Sequence, residues 1–222
     1  MKAGFFVAGT DTGVGKTLFA AALLRRFAAL GLRAAGMKPV AAGTEDGRNE
    51  DVEALLAAAS PGLERKLVCP YLFEPPIAPH LAAHEAGVRI DLALIDVAFK
   101  QLQTQVDVVV VEGVGGFRVP LNEREDAAAM AQRLGLPVIL VVGLRLGCLN
   151  HALLTQEAIA AEGLALAGWV ANRIDPAMAR AGENVQALSE RLRAPLIADI
   201  PFGAASDFPV PLERLWPGRG SP

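Results

Sequence analysis

Residues 3–18 read Ala-Gly-Phe-Phe-Val-Ala-Gly-Thr-Asp-Thr-Gly-Val-Gly-Lys-Thr-Leu, and the order of residue types in that stretch decides the fold. A short apolar run, Phe5 to Ala8, has the length of a strand and breaks into a turn rich in Gly, Thr and Asp. The turn ends in Gly15-Lys16-Thr17, and Phe19, Leu23, Phe27 and Leu30 then recur at the spacing of one helix face. Strand, glycine loop, Lys-Thr and helix together make a phosphate-binding loop. Gly13 and Gly15 allow a backbone that turns successive N–H groups toward phosphate oxygens, and the positive end of the following helix adds to that field. Lys16 is placed to reach outer phosphates, and the Thr17 hydroxyl to ligate Mg²⁺. The spacing is irregular: Thr10 stands where the commonest form of the motif has glycine, and Gly9 comes one residue early.

Working outward, the 222 residues suffice for one large domain spanning 1–222, with residues 215–222 expected as a loose tail. The chain is 52% hydrophobic, in short segments, with no apolar run near the roughly 20 residues that span a bilayer. No signal peptide is expected, since only Lys2 precedes the first strand. A net charge of −3 offers no basic footprint for nucleic acid. Cys69 and Cys148 are too few and too far apart for a disulfide scaffold or zinc site, which suits a reducing cytoplasm.

Further along, Arg33–Lys38 reads as a second strand stopped by Pro39, and 39–49 as a loop over the sheet. A helix is expected from Asp51 to Ala59. A rigid irregular excursion follows from Cys69 to Pro79, and a helix then carries Leu92, Ile95, Phe99 and Leu102. Val106–Val111, Pro137–Val142 and Leu164–Asn172 read as buried parallel strands, and Ala194–Ala198 as a last strand near an edge. The alternation predicts an α/β fold: a single P-loop NTPase-type domain, a doubly wound, mainly parallel sheet with helices on both faces. Ligands then bind beyond the carboxyl ends of the strands.

Glu112 follows the valine-rich strand and is placed to hold Mg²⁺ beside Thr17, with Gly113, Val114 and Gly115 allowing backbone close to a ligand. Asp51 reads equally as a metal ligand or as stabilisation of its helix terminus. Lys38 reads equally as a cation aimed at phosphate or as a surface lysine ending a strand. His80 and His84 have the spacing of a metal pair but lack an evident third ligand. The turn from Gly147 to His151 opens a helix and is a candidate anion site, or a plain connecting loop.

Taken in order, Gly9 to Thr17, Gly36-Met-Lys-Pro-Val40, Arg48-Asn-Glu-Asp51, Val111-Glu-Gly-Val-Gly-Gly116, Leu146-Gly-Cys-Leu-Asn-His151 and Gly168-Trp-Val-Ala-Asn172 resemble the dethiobiotin synthetase family. The similarity extends from residue 3 to about residue 203. It implies closure of a cyclic urea on 7,8-diaminopelargonic acid with CO₂, ATP and Mg²⁺, through a carbamate and a carbamic-phosphoric anhydride. On that resemblance Lys16, Lys38 and Thr12 are the catalytic residues, and Thr17, Asp51 and Glu112 hold the metal. ATP would meet Gly13, Val14, Gly15, Lys16, Thr17, Leu18 and Gly113–Gly115, with Asn172, Arg173, Pro201, Phe202 and Gly203 on the adenine side. The substrate would meet Thr12, Lys38 and Ala42, and its distant carboxylate would meet Gly147, Cys148 and Asn150 across a homodimer interface.

The chain departs from the family where Ala42 replaces a common Ser, where Gly13 replaces an acid, and at Arg173. Three other readings are weaker. Switch-type partitioning ATPases carry a second lysine where Asp11 stands here. The cobyrinic acid amidating synthetases need a glutaminase domain for which no residues remain. A nucleotide-binding protein without catalysis leaves Lys38 and Glu112 unexplained.

Overall fold

A computed structural model describes residues 3–215. Six parallel strands form the main sheet: β1 (Ala3–Gly9), β2 (Ala34–Met37), β5 (Val108–Glu112), β6 (Val138–Gly143), β7 (Leu166–Asn172) and β8 (Leu196–Ile200), in the order β2-β5-β1-β6-β7-β8. Two three-residue strands, β3 (Val40–Ala42) and β4 (Tyr71–Phe73), pair in parallel as a separate small sheet. The helices are α1 (Lys16–Ala29), α2 (Glu50–Ala58), α3 (Arg65–Val68), α4 (Pro79–Glu85), α5 (Leu92–Gln105), α6 (Ala127–Leu134), α7 (Cys148–Ala161) and α8 (Ala181–Arg191).

Alternation along each strand splits the apolar residues between two faces. Phe6, Val109, Val111, Leu140, Val142 and Trp169 face one core, closed by Ile95 and Phe99 of α5, Met130 of α6 and Ile159 of α7. Val7, Val108, Val110, Ile139 and Val141 face the other, closed by Phe19, Leu23 and Phe27 of α1. Strands covered on both sides have no polar face to offer, and β5 and β6 are buried throughout. Asp91 and Asp126 cap α5 and α6 by accepting from Ala93 N–H and Ala129 N–H.

Two expectations need correction. The loop expected over 39–49 and the irregular stretch 69–79 contain β3 and β4, three-residue strands too short for an alternation to register. Leu30 lies beyond the end of α1 and is 39% exposed, because the chain turns away at Gly31 before that face is complete. Of the stretch 215–222 expected to be loose, Leu215 is buried against the second core, and residues 216–222 lie outside the described residues. Among the described residues, no helix is long and apolar enough to cross a membrane.

Candidate active site

The strand order puts the loop after β1 in a crevice. Its strand is flanked by β5 on one side and β6 on the other, and the register sets Val7 beside Glu112. Gly13 and Gly15 adopt φ of 73° and 93°, the left-handed region that glycine enters without steric cost. A side chain at Gly15 would also collide with Asn172, whose Nδ2 would stand 2.1 Å from the added Cβ. Asn172 uses that Nδ2 to donate to Val14 O at 2.8 Å, so β7 braces the loop from behind. Gly15 caps α1 with no side-chain hydrogen bond, leaving the helix's first amides available to an anion.

Four side chains from four different segments meet beyond the strand ends. Thr17 Oγ1 donates to Asp51 Oδ1 at 2.6 Å or to Glu112 Oε1 at 2.8 Å. Lys38 Nζ donates to Asp51 Oδ2 at 2.8 Å, to Glu112 Oε1 at 2.5 Å and to Gly113 O at 3.3 Å. The Lys38 and Glu112 side chains are 5% and 0% exposed, while that of Asp51 is 41% exposed. Lys38 is thus no surface lysine, and Asp51 does more than stabilise the start of α2, a task that Asn49 performs as N-cap. Burial alone would lower the Lys38 pKa, but Glu112 and Asp51 outweigh it and hold the ammonium above its ordinary value. Burial works to raise the Asp51 pKa, and Lys38, aided by the Thr17 hydroxyl, overcomes it and lowers it.

Lys16 has the opposite surroundings. Its Nζ donates to Asp11 O at 2.8 Å, and it makes no ion pair among the described residues. Burial, reinforced by the neighbouring Lys38 charge, pushes its pKa down to about 8. Two carboxylates, a hydroxyl and a second lysine therefore sit beside a glycine loop whose own lysine makes no direct ion pair, the carboxylates acting on it only from a distance. Glu112 Oε2 is buried with no hydrogen-bond partner among the described residues. An all-oxygen set with one buried, unpartnered carboxylate oxygen fits a hard divalent cation such as Mg²⁺.

These residues line a cavity of about 720 Å³, together with Thr12, Gly13, Gly15, Ala42, Val114, Gly115 and Val119. Another wall is Pro76, Ile77, Ala78 and Pro79, part of the stretch expected only as a rigid excursion. Their clustering around three prolines was the one signal that could have marked them. The pair Asp11 and Arg145, joined at 2.5 Å on the same rim, was also missed.

Other expected residues stand apart from this cavity. Leu18 packs against the core under α1. Arg173 is engaged bidentately by Asp199, which raises its pKa despite opposing desolvation, and Pro201, Phe202 and Gly203 follow β8 at the sheet edge. Gly147 (φ 97°), Cys148 and Asn150 start α7 outside the cavity, with Cys148 buried. His84 is exposed, and among the described residues no group of three or more His, Cys, Asp or Glu side chains is placed to hold a metal.

The fold and the loop define a P-loop nucleotide-binding protein. Its sheet and helices superpose on septum site-determining protein MinD from Pyrococcus horikoshii, solved with Mg-ADP, with a TM-score of 0.57 at 18% identity over 90% of this chain and 82% of that one. The signal recognition particle receptor FtsY from Elizabethkingia anophelis gives 0.52 at 18% identity over 95% and 62%. Likeness at that identity concerns the fold alone. A family model described as an AAA domain matches residues 3–209. The chain is 59% identical over 209 residues to the ATP-dependent dethiobiotin synthetase of Aromatoleum aromaticum, covering 91% of this chain and 92% of that protein. It is 56% identical over 207 residues to that of Nitrosospira multiformis, covering 93% and 92%. The chain belongs to the ATP-dependent dethiobiotin synthetase family.

Proposed function

We propose that this protein closes the ureido ring of dethiobiotin from 7,8-diaminopelargonic acid, CO₂ and ATP, releasing ADP and phosphate. The observation that carries the reading is Lys38, a buried ammonium beside the phosphate loop, shared by Asp51 and Glu112 and opening on a cavity walled by Pro76–Pro79.

In this reading one substrate amine and CO₂ form a carbamate with loss of a proton, and Lys38 holds the carbamate anion in line with the γ-phosphate. A carbamate oxygen attacks phosphorus and ADP departs, leaving a carbamic-phosphoric anhydride. The second amine attacks the carbamoyl carbon, phosphate leaves, and the ring closes. Lys16 and the amides after Gly13 meet the charge on the transferring phosphoryl group, the main requirement of such chemistry. Thr12, exposed and lining the cavity, would meet the substrate. Thr17, Asp51 and Glu112 would hold Mg²⁺, which when bound neutralises phosphate charge. Ala42 lines the cavity with a methyl group, so any polar contact there falls to backbone. Asn172 would read adenine, with Arg173 and the turn Pro201–Gly203 beside it.

We further propose a homodimer in which Gly147, Cys148 and Asn150 of one copy receive the substrate carboxylate in the other. Leu146 is 94% exposed and Leu154 56% exposed, leaving the apolar side of that segment available for a partner. Free, buried Cys69 and Cys148 suit a reducing cytoplasm.

The test is ADP release with ATP, Mg²⁺ and bicarbonate, with and without the diamine. Release that needs the diamine, with a product that gains a carbonyl and loses two hydrogens, supports the reading. Nucleotide binding without any response to the diamine removes it.

A further inference from the structure

The phosphate loop contains one carboxylate, Asp11, at the place where a polyanion must arrive. Its three oxygens are all engaged. Asp11 Oδ1 accepts from Thr12 N–H at 2.8 Å, Oδ2 pairs with Arg145 Nη2 at 2.5 Å, and the main-chain oxygen accepts from Lys16 Nζ at 2.8 Å. Arg145 comes from the loop after β6, 134 residues away in sequence. That loop is itself anchored, since Leu144 N–H donates to Asn172 O at 2.7 Å and Cys148 N–H to Arg145 O at 3.0 Å.

We propose that Arg145 is a positioning residue of the phosphate site, acting through Asp11. Its guanidinium neutralises the carboxylate that would otherwise repel the incoming phosphates, and it fixes the segment whose carbonyl orients Lys16. Both side chains are nearly half exposed, at 44% and 46%, so the pair by itself adds little to folding. Its consequence falls on the ligand, because an unpaired carboxylate beside a triphosphate is a like-charge contact at short range. The proposal rests on the loop being the ATP site and is independent of which substrate is phosphorylated.

The experiment is binding of a non-hydrolysable ATP analogue with Mg²⁺, and of ADP, at low and high salt, with thermal melting to check each fold. Arg145→Met is expected to weaken the analogue roughly five- to tenfold at low salt, less for ADP, and less than about twofold at high salt. Arg145→Lys recovers most of the loss. In an Asp11→Asn background, Arg145→Met has little further effect, because the charge to be neutralised is gone. Wild-type affinity in Arg145→Met at low salt overturns the proposal. So does a full loss in the Asp11→Asn background, which would assign Arg145 a direct contact with the ligand. If these affinities behave as expected while the wild type ignores the diamine, this role stands and the ring-closing reading falls.

Discussion

Lys16 and Lys38 stand on one rim, both buried, and their surroundings are opposite. Lys38 is matched by two carboxylates and carries its charge firmly; Lys16 is met by a single carbonyl, and its pKa falls to about 8. Burial costs both ammonium groups, and only the partners differ. A lysine paired inside the protein contributes to the fold and presents a fixed charge. A lysine with no direct ion pair keeps more of its electrostatic attraction for an anion that arrives from outside. The site thus has one cation whose position and charge are fixed by its own carboxylates and one left open to phosphate.

The contrast is broken most severely at Lys38. Lys38→Met leaves Glu112 and Asp51 without their paired cation, and removing one partner of a buried pair costs about 3–5 kcal/mol. Ring closure should vanish and denaturant unfolding should show that loss. In the same variant Mn²⁺, read by paramagnetic resonance, should bind more tightly than in wild type, because Lys38 competes for both carboxylates. Equal or weaker Mn²⁺ binding would mean that the lysine is no rival of the metal.

At Lys16 the sign reverses. A fall from 10.5 to about 8 corresponds to roughly 3 kcal/mol of destabilisation while the group is charged. Lys16→Met should therefore raise stability at pH 7 by up to about that amount while abolishing nucleotide binding. In wild type the unfolded chain holds the extra proton between pH 8 and 10.5, so this group's penalty is fully present below 8 and fades as pH rises through that window. Lys38, raised in the folded state, behaves oppositely: its contribution is complete below its unfolded value and is lost as pH rises through the folded one. Urea unfolding of Lys16→Met and wild type at pH 7 and pH 10 should show the gap narrowing; a constant gap would refute the assignment.

A smaller effect follows for the ligand. Above pH 8, phosphate must bind with proton uptake at Lys16, so affinity should fall by up to about tenfold per pH unit. Calorimetry at pH 9 in two buffers of different ionisation enthalpy should detect an uptake approaching one proton. No buffer dependence would place Lys16 in its charged form before binding.

How much of this was legible follows from distance along the chain. Lys16, Thr17 and the loop glycines lie within a few residues of one another, and residue type at fixed spacing identified them. The buried strands β5 and β6 were legible because both faces are apolar, Glu112 standing only at the carboxyl end of β5. The partners of Lys38 were not, since Glu112 lies 74 residues away and local sequence at Asp51 fits a helix terminus equally well. The wall at Pro76–Pro79 and the Asp11–Arg145 pair come from how loops fold over the sheet, and no local period records that.

The mildest test separates the loop's shape from the lysine's surroundings. Gly13 and Gly15 both have positive φ, but a side chain at Gly13 would meet nothing within 4 Å, whereas one at Gly15 strikes Asn172. Gly13→Ala should therefore cost only the backbone preference, about 1–2 kcal/mol, with much of it recovered in Gly13→Asn, because Asn tolerates that region better. Neither change touches Asp11 O, Lys38 or the burial of Lys16, so proton uptake on binding should persist unchanged at pH 9. If Gly13→Asn abolished the uptake while keeping nucleotide affinity, the lowered pKa would belong to the loop's conformation, and the contrast between the two lysines would lose its physical cause.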